Sequence, residues 1–436
     1  MRARSASARA SARRRQVRAT AVVAGLAALA LAFSGCAPET SVAISTPPQV
    51  DGPLPDATRA QLEASVTHAM AAAGASGAIV GVWVPWSGTW VTGLGTESSI
   101  DATPVDADMV FRIADATRPM TCDVLYRLAA DGVVGLDDSV SEYVTGVPDL
   151  EGVTLLELCN GTSGIGSYQP TLQAQWLTNP KRVWGARELT SFGLGYSEFT
   201  GENSPYRDSD TAYILLGLAL ERASGKSAAA LLDQYVFEPL DMVSSSLPRP
   251  AAATPSKTEP VLLGHHSLPG ADGVMNCTEP LDITPLSSSI GFTDSGVTST
   301  ITDLGRYAQA LAAGALAPEG QPDRWAAPLP VSADGPSWLQ STGGAFLAGS
   351  LIGQHGTMPG YITAVYSDPG TGMTVAVVLN NSAAGAGLGA SLAWELAAIA
   401  SKAPAASGQT APEFGLPWTA EQYHEAVTQA AVCPIP

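Results

Sequence analysis

The chain has 436 residues and carries 40 acidic side chains against 22 basic ones, a net charge of −18 at neutral pH. Phosphate recognition needs clustered Lys and Arg, so this balance excludes nucleic acid as a partner. With 45% hydrophobic and 14% charged residues, the chain can bury a large core and is long enough for two subdomains.

Residues 1–35 read as an export signal. Arg2, Arg4, Arg9, Arg13, Arg14, Arg15 and Arg18 precede an apolar run over 19–33 that is too short to span a bilayer comfortably and ends in small residues. Arg14-Arg15 also hints at twin-arginine export. Phe33-Ser34-Gly35-Cys36 resembles a bacterial lipobox, in which Cys36 is lipidated and becomes the first residue of the mature chain. The competing reading is a plain secreted chain with an incidental cysteine; the lipobox is preferred because Cys36 sits where cleavage is expected. The expected location is therefore extracytoplasmic, with the membrane as a partner through the lipid anchor. Removing 1–35 takes away seven arginines and leaves 15 basic against 40 acidic residues, about −25. Residues 36–56, rich in Pro, Ser and Thr, read as a flexible tether.

From residue 57 the pattern becomes globular. Apolar spacing predicts a helix over 57–73, and 77–95 reads as two strands around Ser87-Gly88. Residues 111–121, "FRIADATRPMT", open a helix that runs to Ala130 and stops at Asp131-Gly132. In the stretches 135–144 and 153–165, Leu136, Val140, Tyr143, Leu155, Leu156 and Leu158 are the expected buried positions. Residues 244–285 look irregular, and His265 and His266 are assigned to an exposed loop rather than a metal site, since adjacent strand residues point opposite ways. A helix over 296–311 is capped by Thr300 or Thr302. Residues 361–381 form a hairpin around Asp368-Pro369-Gly370, and 386–402 a closing helix. The tail, 403–436, holds a linker and a short helix from Thr419, with Gln422 completing a capping box. Cys122, Cys159, Cys277 and Cys433 suggest two disulfides in an oxidising compartment, with three connectivities open. Their spacing argues against zinc, and no cofactor is expected.

These stretches, in this order, resemble the landmarks of the penicillin-recognising serine hydrolases: class C β-lactamases, D-alanyl-D-alanine carboxypeptidases and related esterases. Residues 111–121 fit "F-R-I-x-S-x-T-K-x-F-T" at Phe111, Arg112, Ile113, Thr117 and Thr121. Residues 206–227, "YRDSDTAYILLGLALERASGKS", fit "F-x-Y-S-N-T-G-Y-x-L-L-G-x-I-I-E-x-x-T-G-K-S" from Ser209 onward, and 236–242, "VFEPLDM", fit "F-E-P-L-G-M". The resemblance covers roughly 57–402. It implies an α+β fold: an α/β part with an antiparallel sheet from about 57–112 and 286–402, and an inserted all-α part from about 113–285. It also implies a Cys122–Cys159 disulfide, which leaves Cys277 with Cys433.

The chain departs from the family where the chemistry is done. Asp115 stands at the nucleophile position and Arg118 at that of its lysine partner. Arg118 stays protonated at any working pH, so it cannot act as a base the way a desolvated lysine can. Asp near a helix start, paired with an Arg three residues on, is explained more simply by the helix dipole and an ion pair. In the second motif Asp208 and Asp210 replace the family's tyrosine and asparagine. Tyr206 comes two residues early, a displacement of roughly 6–7 Å in extended chain. In the third, "P-G-F/Y" falls on Pro359-Gly360-Tyr361 and places Gln354-His355-Gly356 on "H-x-G" or "K-T-G", with Gln354 replacing the basic residue. Ser163 is not a nucleophile elbow, because Ile165 stands where that motif needs glycine.

The leading reading is therefore a family member that binds or scaffolds rather than hydrolyses, with a cleft formed by Asp115, Arg118, Asp208, Asp210, Gln354, His355 and Gly356. Three carboxylates around Arg118 leave a local charge near −2. Such a wall suits a cationic cell-wall or small-molecule ligand, such as an amine, the side chain of diaminopimelate or Ca²⁺. The plainer alternative, an internally paired ion cluster, is preferred. Two enzymatic readings compete: a serine hydrolase with Ser209 or Thr117 as an unconventional nucleophile, and paired-carboxylate chemistry by Asp115 and Asp208.

Overall fold

The structure is a computed structural model that describes residues 41–147, 150–196, 205–251, 255, 260–413 and 415–435. The expected export signal, Cys36 and the first residues of the tether lie outside the described residues.

Two glycine-flanked runs of alternating apolar residues give strands β1 (Gly77–Val84) and β2 (Gly88–Gly95). Five further strands, β4 (Leu339–Thr342), β5 (Ala345–Ala348), β6 (Leu351–Met358), β7 (Tyr361–Ser367) and β8 (Thr374–Leu379), follow the short β3 (Leu329–Pro330). They form one eight-stranded sheet in the order β2-β1-β8-β7-β6-β5-β4-β3, antiparallel throughout. Ser367 pairs with Thr374 at the mouth of the hairpin expected around Asp368-Pro369-Gly370.

Helices α1 (Asp56–Ala73), α10 (Ala386–Ala400) and α11 (Ala420–Gln429) cover one face of the sheet. The other face carries α9 (Ile301–Ala312) and the inserted helices α2 (Thr117–Ala130), α3 (Leu155–Asn160), α4 (Gln169–Thr178), α5 (Ala186–Tyr196), α6 (Asp210–Ser224), α7 (Ala228–Leu232) and the single turn α8 (Phe292–Ser295). The strand period of two divides the apolar residues between two cores. Val80, Val82, Ala364 and Tyr366 join the α1/α10 side, whereas Ile79, Val365 and Ala376 join the helical side. Thr300 caps α9 by accepting the Asp303 N–H, and both legs of the Thr419–Gln422 capping box are made. Both expected disulfides, Cys122–Cys159 and Cys277–Cys433, are present. Among the described residues no helix is long and apolar enough to cross a membrane.

Three expectations need correction. From Ser41 onward the expected tether lies against the body: Val42 donates to the Pro239 carbonyl at 2.9 Å, Val50 to that of Pro85 at 3.0 Å, and Leu54 is buried. His265 and His266 are buried rather than exposed. They form a two-residue strand with Leu281–Asp282, and the His265 N–H reaches the Asn380 carbonyl at the end of β8, at 2.8 Å. Of the six positions expected to be buried between 136 and 158, Val140, Leu155 and Leu158 are fully so, while Leu136, Tyr143 and Leu156 lie at the margin of the same core.

Candidate functional site

The site is built from the start of α2, the start of α6, α8 and the outer half of β6. Phe111–Arg112 pairs with Thr298–Ser299, and a 3-10 turn, Ala114–Ala116, swings the chain into α2. Ala114 takes φ +49°, a conformation that costs a non-glycine residue about 1–3 kcal/mol and is held by its surroundings. The turn sets Asp115 and Arg118 on one face of the helix start.

Arg118 is the hub. Its Nε donates to Asp294 Oδ1 at 2.8 Å and its Nη2 to Asp210 Oδ1 at 2.7 Å, while Nη1 binds Asp208 and lies 3.5 Å from Asp115 Oδ2. The guanidinium also stands 5.0 Å from the centre of the Tyr213 ring. Asp210 is the first residue of α6, where the helix dipole favours a carboxylate, and its second oxygen accepts the Ser167 hydroxyl and the Gln169 N–H. Asp294 was not anticipated from the sequence. It stands two residues before the stretch that resembles the family's helix start, on a single turn that no periodicity marks.

Asp294 raises the count to four carboxylates around one guanidinium, so full ionisation would leave −3 rather than the expected −2. Burial, reinforced by the neighbouring carboxylates and opposed by Arg118, pushes Asp115 well above the usual carboxylate range. The same causes raise Asp210 to about 7 and also raise Asp294. Burial thus favours the protonated form of all three, and Asp210 titrates near neutral pH. Asp208, with 61% of its side chain exposed, is its open edge.

The third motif stands on β6, an inner strand of the sheet. Its pairing with β5 nevertheless ends at Gly353, so the residues beyond it have a partner only in β7. Gln354 closes part of the gap: its Nε2 donates to the Gly344 carbonyl and its Oε1 accepts the His355 N–H, both at 2.8 Å. Gly356 faces the same way, and a Cβ there would lie 2.5 Å from Asp115 Oδ2. Glycine is required at 356 because Asp115 is seated over the strand. His355 is not part of this cleft. The pleat turns it to the opposite face, where its Nδ1 lies 2.6 Å from the Tyr366 hydroxyl and its ring stacks on Phe346 at 4.5 Å. Burial lowers its pKa to about 4.

The two unconventional nucleophile candidates hold structural positions. Ser209 is buried, donates to the Gly166 carbonyl at 3.1 Å and caps α6 by accepting the Ala212 N–H. Thr117 is buried and accepts the Val297 N–H at 3.2 Å. Gly161 ends α3 with φ +71°; a Cβ there would come within 2.8 Å of the Tyr206 ring. Among the described residues no group of three or more His, Cys, Asp or Glu side chains is arranged to hold a metal ion.

The family model described as Beta-lactamase matches residues 62–399. Penicillin-binding protein 4* of Bacillus subtilis is 30% identical over 139 residues, 32% of this chain and 31% of that protein. The D-alanyl-D-alanine-carboxypeptidase/endopeptidase AmpH of Escherichia coli K12 is 34% identical over 143 residues, 31% of this chain and 36% of that protein. The chain thus aligns with about a third of the length of these relatives. Among solved structures, a D-stereospecific amidohydrolase from Streptomyces shares the fold with a TM-score of 0.63 at 22% identity, over 75% of this chain and 95% of that one. An octameric penicillin-binding protein homologue from Pyrococcus abyssi does so with a TM-score of 0.65 at 20% identity, over 79% of each chain. The ordered landmarks, the antiparallel sheet with its helical insertion and the family match over 62–399 together show that this chain belongs to the beta-lactamase family.

Proposed function

We propose that this protein is a catalytically inactive, lipid-anchored member of the beta-lactamase-related serine hydrolases that works outside the cytoplasm as a binding or scaffold protein. One observation carries the reading: Arg118, at the position where the resemblance expects a lysine, has its guanidinium tied to Asp208, Asp210 and Asp294. A permanently protonated group fixed by carboxylates cannot take a proton from an attacking hydroxyl. The relatives named for penicillin binding and D-alanyl-D-alanine carboxypeptidase activity support a place in the cell envelope. Asp208, the most exposed carboxylate of the cluster, is the group that a cationic cell-wall ligand would meet first.

The test is intact-mass labelling of the purified chain with a fluorescent penicillin and a fluorophosphonate, beside a Ser209→Ala control. The expected result is no adduct with either probe. A stoichiometric adduct that disappears in the control would overturn the proposal and establish a serine hydrolase with an unconventional nucleophile.

A further inference from the structure

The far end of α6 presents a second feature, separate from the carboxylate cluster. Leu218 and Arg222 lie about 12 and 18 Å along the helix axis from Asp210, at 1.5 Å per residue. They border two adjoining cavities that share Val144, Arg187 and Leu218. The first, about 310 Å³, is walled by the aliphatic side chains of Val144, Val147, Leu194 and Leu218. Its two hydroxyls are turned back into α5, Thr190 donating to the Ala186 carbonyl and Ser191 to that of Glu188, so the wall is apolar in effect. The second, about 520 Å³, is bordered by Arg187, Arg222 and Lys226. Both volumes fall in the range of small-molecule sites.

Three cations in one groove stand out in a chain with 40 acidic and 22 basic residues. Elsewhere Arg59, Arg118, Arg127, Arg182, Arg306 and Arg324 each hold a carboxylate. Among the described residues no ion pair engages Arg187, Arg222 or Lys226. Arg187 donates to the Thr145 carbonyl at 3.3 Å and Lys226 to Gln234 Oε1 at 2.5 Å, which leaves each with further donors. Among the described residues the one acidic side chain bordering the lobe is Glu221, engaged at Oε1 by the Ala228 N–H, and Asp138 lies behind Tyr143, whose hydroxyl it accepts.

We infer that this groove binds a free, single-chain anionic amphiphile, a fatty acid or alkyl phosphate, with its chain in the apolar lobe and its head group among Arg187, Arg222 and Lys226. Charge complementarity names the head and the aliphatic wall names the tail. A detached molecule fits better than a bilayer, because the apolar surface is inside the lobe: the exposed large hydrophobic residues of the described chain, Ile100, Val243 and Val274 foremost, border neither cavity.

Isothermal titration of the purified chain with dodecyl phosphate below its micellar concentration is the test. Saturable one-to-one binding is expected, with none for dodecyltrimethylammonium. The variant Arg222→Ala/Lys226→Ala should weaken it at least about tenfold, the effect of losing charge-assisted contacts. Gly195→Leu should abolish it by filling the lobe, since a Cβ at 195 meets nothing within 4 Å and leucine suits a helix. Equal binding of the cationic detergent, or unchanged affinity in both variants, would overturn the inference. So would binding to anionic vesicles with none to the monomer.

Discussion

Gln354 and His355 are neighbours on β6, yet they face two unlike environments. On one side stands Arg118 with its carboxylates, where burial raises the pKa of Asp115, Asp210 and Asp294. On the other, His355 lies among Phe346, Tyr366 and Trp394, where burial strips the proton from the imidazole. The same physical cause, removal from water, acts through the same strand with opposite consequences, because an acid is neutral when protonated and an imidazole is neutral when not. The first side gathers an ion cluster at the starts of α2 and α6. The second packs His355 among aromatic rings, with no ion pair to it among the described residues.

The largest way to break the contrast is Arg118→Met. It leaves Asp115, Asp210 and Asp294 without their counter-charge, and denaturant unfolding at pH 8 should show a loss of about 3–5 kcal/mol. Adding Asp210→Asn and Asp294→Asn should recover most of it, since the penalty belongs to stranded charge rather than to lost packing. A loss below about 1 kcal/mol in the single variant would mean that Arg118 is not the hub.

Next in size, roughly 3–4 kcal/mol, come opposite pH dependences on the two sides. Asp210 rises from 3.8 unfolded to about 7 folded, so between those values the folded state binds the extra proton. Its contribution to stability therefore falls as pH rises from about 4 to 7. His355 drops from 6.5 unfolded to about 4 folded, so the unfolded state binds the extra proton and stability rises over the overlapping window. Unfolding midpoints measured between pH 4.5 and 8 should show Asp210→Asn gaining most over the parent at pH 8. His355→Gln should compare best with the parent at the acid end. Parallel profiles for the two variants would sink the contrast.

The smallest effect belongs to Asp208→Asn. Its side chain is 61% exposed, and water screens its attraction to Arg118, so a change within about 1 kcal/mol is expected in the same unfolding assay.

Much of the site could be read from particular residues. The three-residue spacing of Asp115 and Arg118 announces a shared helix face, and Pro359-Gly360-Tyr361 fixes the register that sets Gln354 and Gly356 together. The inclusion of His355 in that cleft ran against the strand period of two, which alone sends it to the other face. Asp294 and the buried pair His265-His266 carried no such signal. The former sits on a single turn, and the latter is held by a long-range pairing with Leu281–Asp282 and the end of β8.

Features that depend on local order along the chain were legible in its residues. Apolar periodicity specifies the helices and strands, capping residues such as Thr300 and Thr419 fix their ends, and family landmarks in order specify the fold. Which carboxylates meet Arg118 and how much water each retains emerge only when the chain folds. Those outcomes rest on distances between segments up to 176 positions apart in the chain, as for Arg118 and Asp294. Burial and Coulomb interaction follow separation in space, which spacing along the chain does not encode.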